Sequence, residues 1–320
     1  MSEDGRRPER AQPEVIVIGA ACVDTKGQPD AALIQGTSNP GEIRITVGGV
    51  GRNIAEALGR LGVPVSLITA VGDDVWGRDL VRRTRKGGVD LRELLVCRGE
   101  RSAAYMAILD EKGDRIVSID STDIMAHIDG RYIFDRRRLF AQAKIVVLDG
   151  NVSPSALSTV LRLAEQYHLR VAVDPTSVVL AAQLRPYLRS FYLVTPDANE
   201  AEALTGIRVA DEGDAVRAAQ ALVAAGVKVA IVTLAEHGCC YATSEVVGHV
   251  PAVRIDVVDR TGAGDSLTAA VVFGLLNDFP VDEAVQLGVA AAALTIGSKE
   301  SVYPELSLEA LYDALVPRGG

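Results

Sequence analysis

Short runs of consecutive apolar residues recur along this chain, separated by segments with helical periodicity. The runs VIVIG from Val15, KIVVLDG from Lys144 and VAIVTL from Val229 are typical of strands buried on both faces. Further runs of this kind are VSLITAVG from Val65, RVAVD from Arg170 and FYLVT from Phe191. A turn is predicted over residues 19–24, and Ser153 is predicted to cap the helix SPSALSTVLRLAEQYH. The alternation predicts an α/β fold, a mostly parallel central sheet with helices on both faces.

Two other stretches alternate apolar with polar residues, which is typical of strands with one wet face. One covers residues 42–47, and the other covers Ala104–Leu109 and Arg115–Ile119, joined by the turn DEKGD. The second pattern predicts a hairpin. We expect both stretches to build a small β-sheet lid that stands off the main body, with strands from about residues 24–47 and 96–120.

The composition is that of an ordinary globular protein, with 320 residues of which 48% are hydrophobic and 23% are charged. We expect a disordered tail over residues 1–13 and one domain over residues 14–320. The tail lacks the apolar region of a secretory signal, and no uncharged apolar run reaches the roughly 18 residues of a membrane span. A cytoplasmic protein is therefore expected.

The charge balance argues against polyanionic partners. The chain carries 33 basic and 42 acidic side chains, a net charge of −9, which repels a phosphate backbone. Neither nucleic acid nor an anionic membrane is an expected partner. The four cysteines lack CxxC spacing and the four histidines lack an HExxH motif, so histidine-based metal chemistry is not indicated.

The strongest local signal is the segment DRTGAGD at Asp259–Asp265, which precedes the helical run SLTAAVVFGLLN. Small residues at a helix start expose backbone N–H groups, and the helix dipole adds partial positive charge, so this segment can bind an anion. Asp265 could cap the helix or accept a proton from a bound hydroxyl. Taken alone, the motif is also compatible with a plain glycine turn followed by an aspartate cap.

A second glycine cluster, GGVGRN at Gly48–Asn53, opens the helix NIAEALGRLG. Glycines there let a ligand approach the backbone closely, and the Asn53 amide can both donate to and accept from a hydroxyl. A purely structural turn is the alternative. The chain contains no GxxxxGK[ST] loop and no GxGxxG after its first strand, so phosphate binding requires another scaffold.

Four segments in this order resemble the ribokinase-like, or phosphofructokinase-B, family. They are Asp24 after the first strand, GGVGRN at Gly48–Asn53, PDANEAEALTG at Pro196–Gly206 and DRTGAGD at Asp259–Asp265. The resemblance covers nearly the whole chain after residue 14. Within the family, SNPGEI at Ser38–Ile43, followed by GGVGRNIAEALGRLG, is similar to the pseudouridine kinases.

The resemblance implies a phosphotransferase that uses ATP and Mg²⁺ to phosphorylate the 5′-hydroxyl of pseudouridine. Asp265 would be the catalytic base, and the amides of Gly262, Ala263 and Gly264 would stabilise the transferring phosphoryl group. Two alternatives stay open. The acceptor could be another nucleoside or sugar, such as adenosine or ribose, or the protein could be a non-catalytic sugar-binding relative on the same fold.

The resemblance also implies binding roles for matched positions. The ribose hydroxyls would contact Asp24, Gly48, Gly49 and Asn53. The nucleotide would lie near Asp197, Thr233, Gly238 and Thr261. The uracil base would be read by lid residues, for which Lys26 and residues 120–123 are candidates.

Cations and subunit pairing follow from the same resemblance. Glu200 would position Mg²⁺ through water, and Asp259 with the loop over residues 292–301 could hold K⁺.

The chain departs from the family pattern at Asp197, where asparagine is usual, and at Ala235, where glycine is common. A homodimer formed through paired lids is expected.

Overall fold

The computed structural model describes residues 12–316, so residues 1–11 of the disordered tail predicted over residues 1–13 lie outside the described range. Within that range, the strands are β1 (Val15–Ile18), β2 (Cys22–Pro29), β3 (Gly41–Gly48), β4 (Val65–Ile68), β5 (Ala70–Gly72), β6 (Leu95–Cys97), β7 (Ala103–Leu109), β8 (Arg115–Ser121), β9 (Ile145–Asp149), β10 (Arg170–Asp174), β11 (Leu193–Val194), β12 (Val229–Thr233), β13 (Cys239–Ala242) and β14 (Val247–Val250). The helices in the same range are α1 (Val50–Arg60), α2 (Val75–Lys86), α3 (Gly130–Asp135), α4 (Arg137–Phe140), α5 (Pro154–Gln166), α6 (Val178–Leu184), α7 (Ala198–Thr205), α8 (Glu212–Ala224), α9 (Ala263–Leu276), α10 (Val281–Ile296) and α11 (Leu308–Leu315).

The main sheet has eight strands in the order β14-β13-β12-β11-β10-β9-β1-β4. Every pairing from β4 across to β12 is parallel, and β13 and β14 add an antiparallel edge. The predicted, mostly parallel sheet is therefore confirmed. In such sheets the carboxyl ends of the strands lie along one edge, where ligands bind.

The continuous apolar runs are explained by burial on both sides of this sheet. In β1, Val15 and Val17 join one core, whereas Ile16 and Ile18 join the other. The first core also contains side chains of α1, α9, α10 and α11, and the second contains side chains of α5 to α8. Ser153 caps α5 as predicted, since its hydroxyl accepts a hydrogen bond from the Ala156 N–H at 3.3 Å.

A separate four-stranded sheet, with the order β3-β2-β7-β8, forms the small sheet of this molecule. The predicted hairpin is confirmed by the antiparallel pairing of β7 with β8. The turn predicted over residues 19–24 was partly wrong, because the strand β2 already begins at Cys22. It pairs with β3 on one side and β7 on the other, and these partners come from distant parts of the chain.

The two faces of the small sheet differ in chemistry. Asp24 and Lys26 lie two residues apart on β2 and share the inner face, toward the helix α9. Thr25, between them, belongs to the outer face, which carries the exposed apolar side chains Ile43, Ile45, Met106 and Ile119. Strand alternation thus separates a polar inner face from an apolar outer face.

Two predicted strands are shorter than their apolar runs. The run VSLITAVG divides at Thr69 into β4 and β5, because the chain leaves the main sheet there and β5 pairs with β6. The run FYLVT contributes only Leu193–Val194. All four cysteines are buried free thiols, and no described helix combines the length and apolar character needed to cross a bilayer.

Candidate active site

The first turn of α9 provides an anion-binding site. Gly262 precedes the helix with a φ of 79°, and a Cβ there would lie 1.9 Å from the Ser301 carbonyl oxygen, so only glycine fits. The first hydrogen bond of the helix runs from the Ser266 N–H to the Gly262 carbonyl at 2.9 Å. The amides of the three residues between them, Ala263, Gly264 and Asp265, therefore have no partner within the helix. The space beside Gly264 is open.

The Asp265 carboxylate lies in this first turn and is held from α1. Asn53 Nδ2 donates to Asp265 Oδ2 at 2.7 Å, and Arg52 Nη1 donates to Asn53 Oδ1 at 2.8 Å. Arg52 is itself paired with Glu56 in a buried ion pair. This chain of contacts fixes the Asn53 amide, so that its nitrogen faces the carboxylate proposed as the base.

The residues predicted to bind the substrate come together beside Asp265. Asp24 is buried, and a Cβ on Gly48 would lie 2.2 Å from its Oδ2, so glycine is required for this close approach. Gly49 then caps α1, which carries Asn53. Burial raises the pKa of Asp24, and its charge in turn raises the pKa of Asp265.

Sequence reasoning missed two buried carboxylates, Asp149 and Asp174. They end β9 and β10, at the sheet edge where ligands bind. Asp149 accepts hydrogen bonds from the N–H groups of Ala20 at 2.7 Å and Gly51 at 3.1 Å, which ties the end of β1 to α1. The signal was present, because each aspartate directly follows an apolar run.

The site concentrates negative charge in a desolvated place. Burial, followed by the nearby carboxylates Asp174 and Asp197, raises the pKa of Glu200 to about 8. Burial likewise raises the pKa of Asp265 to about 7, against the lowering effect of the Asn53 hydrogen bond. Burial, followed by the charge of Asp265, also raises the pKa of Asp174. Clustered carboxylate oxygens that repel one another fit a divalent cation such as Mg²⁺.

Asp197, one of the departures from the family pattern, is the N-cap of α7. Its side chain accepts from the Glu200 N–H at 2.8 Å, and the Glu200 side chain accepts from the Asp197 N–H at 2.9 Å. Since aspartate and asparagine are equally good N-caps, the cap survives the change. A β-bridge places Asp197 directly beside Thr233 at the end of β12, so these two predicted nucleotide residues are brought together.

The turn after β12 contains the second departure. Ala235 has a φ of 49°, in the left-handed region, where the glycine common in the family would be unstrained. Gly238 ends the turn packed against the Val250 backbone, where a Cβ would lie 2.0 Å from a carbonyl oxygen. The Gly238 carbonyl accepts from the Leu234 N–H at 2.8 Å and Cys239 pairs with Thr233, so Gly238 lies beside the end of β12.

Asp259, the predicted ligand for a monovalent cation, pairs with the chain's own lysine. Lys26 Nζ lies 2.7 and 2.6 Å from the two carboxylate oxygens and also contacts the Thr261 hydroxyl. Burial raises the pKa of Asp259, but the hydrogen bonds from Lys26 and Thr261 and the charge of Lys26 together outweigh burial and leave the pKa below its ordinary value. With both oxygens engaged, the Asp259 side chain does not fit as a ligand for K⁺.

Residues 12–307 match the model of the pfkB family of carbohydrate kinases. The pseudouridine kinase of Escherichia coli K12 is 30% identical over 93% of this chain and 95% of its own length. The guanosine-inosine kinase of Exiguobacterium acetylicum is 29% identical over 93% of this chain and 99% of its own.

Solved structures agree with this result at the level of the fold. An E. coli protein assigned as a ribokinase II, solved in complex with ATP and Mg²⁺, superposes with a TM-score of 0.80. The match covers 95% of this chain and 99% of that one, with 21% sequence identity.

Proposed function

Because this chain belongs to the pfkB family of carbohydrate kinases, we propose that it transfers a phosphoryl group from ATP to the 5′-hydroxyl of pseudouridine. Membership in this family shows that the chain is a sugar or nucleoside kinase whose acceptor is an alcohol group. One observation carries the mechanism. The Asp265 carboxylate and three amides without helical partners occupy the same helix turn, so a base and an anion site adjoin.

In the proposed reaction, Asp265 takes the proton of the attacking hydroxyl. Asn53, oriented by Arg52, holds the carboxylate on one side, and Asp24 on the inner face of the small sheet binds the ribose hydroxyls. Fixing the sugar in this way aims the hydroxyl in line with the transferred phosphoryl group. The amides of Gly262, Ala263 and Gly264 stabilise the negative charge on that group's oxygens.

ATP and Mg²⁺ are the proposed partners of this machinery. The fold neighbour that contains both supports the proposal, as do the clustered carboxylates. Glu200, with Asp174 nearby, would hold the ion through its waters, since Mg²⁺ keeps several of them in most protein sites. When bound, the ion neutralises charge on the phosphate groups of ATP.

The choice of pseudouridine rests on two supports, the segment SNPGEI at Ser38–Ile43 and the E. coli pseudouridine kinase among the relatives. Guanosine or inosine is the second candidate, because a kinase for those nucleosides is nearly as similar. Both candidates place a nucleoside, rather than a free sugar, under the small sheet, which would act as a lid.

A panel of acceptors tests the substrate. We expect kcat/KM for pseudouridine to exceed the values for uridine, guanosine, inosine, adenosine and ribose. A purine nucleoside as the best substrate would favour the second candidate, and ribose as the best would exclude both. If no acceptor supports ADP release, the protein is a non-catalytic relative.

We also infer that two copies pair through the outer face of the small sheet. Its apolar side chains Ile43 and Ile119 are 73% and 69% exposed in the single chain. Large contiguous apolar patches on a protein surface commonly mark association sites.

A further inference from the structure

Lys26 connects the small sheet to the loop that precedes the anion site. Its ammonium group has three protons and contacts three acceptors, the two Asp259 carboxylate oxygens and the Thr261 hydroxyl. The Lys26 and Asp259 side chains are only 12% and 16% exposed, so the pair is largely removed from water. A pair in such surroundings is structurally demanding, since removing one partner leaves the other charge buried.

The loop held by Lys26 leads directly into the anion site. Asp259 Oδ1 accepts from the Thr261 N–H at 2.9 Å, and the N–H groups of Val258 and Asp259 donate to the Ile296 carbonyl at the end of α10. Gly262, which caps α9, follows immediately. The position of the phosphate-binding amides therefore depends on a segment fixed by α10 on one side and by Lys26 on the other.

Lys26 also shares the inner face with Asp24, the proposed ribose ligand, two residues earlier on β2. A movement of β2 relative to the loop before α9 would therefore stretch or break the contact between Lys26 and Asp259. The ion pair links the sheet that covers the substrate to the loop that binds the phosphate.

We propose that Lys26 is a positioning residue whose ammonium serves as a built-in monovalent cation for the phosphate-binding loop, so that the enzyme needs no K⁺. This inference rests on the proposed kinase function and concerns the same site. An ammonium group and K⁺ carry the same charge and are similar in size. The resemblance to the family predicts a bound K⁺ at Asp259. In this chain the positive charge at Asp259 belongs instead to the ammonium group of Lys26.

The test compares wild type, Lys26→Met and the matched control Lys112→Met. Lys112 lies exposed in the turn between β7 and β8, so the control removes the same charge from the same small sheet. Each protein is assayed in K⁺, NH₄⁺, Na⁺ or tetramethylammonium chloride at matched ionic strength. Activity with ATP and the best acceptor is one readout, and the midpoint of thermal unfolding without substrate is the other.

We expect wild type and Lys112→Met to be indifferent to the cation in both readouts. Lys26→Met should lose about 10- to 100-fold in kcat/KM, because small displacements of positioned groups cost that much. K⁺ or NH₄⁺, but not tetramethylammonium, should restore part of this loss and raise the unfolding midpoint of Lys26→Met. Asp259→Asn should lose activity without any restoration, since the acceptor itself is gone.

Selective activation of the wild type by K⁺ would overturn the proposal, and this result does not depend on whether any variant folds. A Lys26→Met enzyme equal to the control, or impaired to the same degree in every cation, would also overturn it. The unfolding measurement needs no turnover. It therefore separates a failure of this inference from a failure of the proposed kinase function, which would show as absent ADP release by wild type.

Discussion

The first turn of α9 places Asp265, and a series of side-chain contacts from α1 then orients its carboxylate. Glu56 pairs with Arg52, Arg52 donates to Asn53, and Asn53 donates to Asp265. The amide of Asn53 could rotate by half a turn in isolation. With its oxygen bound by Arg52, only its nitrogen can face the carboxylate.

Replacing Asp265 by Asn is expected to lower kcat by roughly 10²- to 10⁴-fold, the usual contribution of a general base. Binding of the nucleoside should change little, because the ribose contacts are made by other residues. Steady-state kinetics and calorimetric titration of the nucleoside measure the two effects separately. An unchanged kcat would exclude Asp265 from the role of base.

Glu200 should make stability depend on pH. Its pKa rises from the ordinary 4.5 to about 8 on folding, so the folded protein binds this proton more tightly than the unfolded chain. The stabilisation that this proton contributes to folding is complete below the ordinary pKa of glutamate and is lost as the pH rises through the pKa of Glu200 in the folded protein. We expect Glu200→Gln, which cannot titrate, to show a shallower fall in unfolding free energy between about pH 5 and 8. Denaturant unfolding across this range measures how the unfolding free energy of wild type and of Glu200→Gln changes with pH. Equal slopes for the two proteins would contradict a raised pKa for Glu200.

At this scale the sequence was informative where motifs are local. Asp265 and Asn53 sit in glycine-rich segments that mark them, and the structure places them in contact. Lys26 could be named only as a candidate for reading the base, because its partner Asp259 is 233 residues away. Sequence spacing carries no information about such a contact.

The helix α7 shows how an element tolerates a departure from the family pattern. Its capping box uses the Asp197 carboxylate where asparagine is usual in the family. The carboxylate accepts a hydrogen bond from the Glu200 N–H, and an asparagine side-chain oxygen can accept the same bond. The change adds a charge near Glu200 without removing the cap.

We therefore expect Asp197→Asn to leave the free energy of unfolding nearly unchanged and Asp197→Ala to lower it by about 1 kcal/mol, a typical N-cap contribution. Chemical denaturation of the three proteins at one pH makes the comparison. If both variants were equally destabilised, the charge of Asp197, rather than its cap, would be the important feature.

Elements with strong periodicity were predictable, whereas their ends and partners often were not. The continuous apolar runs of β1 and β9 identify buried strands because both faces of the main sheet are covered. The start of β2, Cys22 to Asp24, was mistaken for part of a turn, since the strand mixes polar, glycine and apolar residues. Its conformation is set by pairing with β3 and β7, which is a tertiary effect.

For the whole molecule, the division into a main sheet and a small sheet places the site between them. In the main sheet, the carboxyl ends of β9 and β10 carry Asp149 and Asp174. In the small sheet, the inner face of β2 carries Asp24 and Lys26. The order of strands in the main sheet could not be predicted in detail, since crossover connections leave no local pattern.

The outer face predicts association of two chains. Wild type should sediment as a dimer at micromolar concentration, and Ile119→Lys should shift it toward the monomer, because a charge cannot be buried unpaired in an apolar interface. Val179→Lys is the matched control, since Val179 is 71% exposed on α6, which is not part of the small sheet. A monomeric wild type, or equal behaviour of the two variants, would contradict pairing through this face.

Identification of the product tests the central claim most directly. ATP, Mg²⁺ and pseudouridine are incubated with the enzyme, and the product is analysed by mass spectrometry and phosphorus NMR, with Asp265→Asn as the control. We predict that each ADP formed is matched by one pseudouridine monophosphate whose phosphorus couples to the 5′ methylene protons. Phosphate on another hydroxyl, or ADP formed without consumption of pseudouridine, would contradict the proposed reaction.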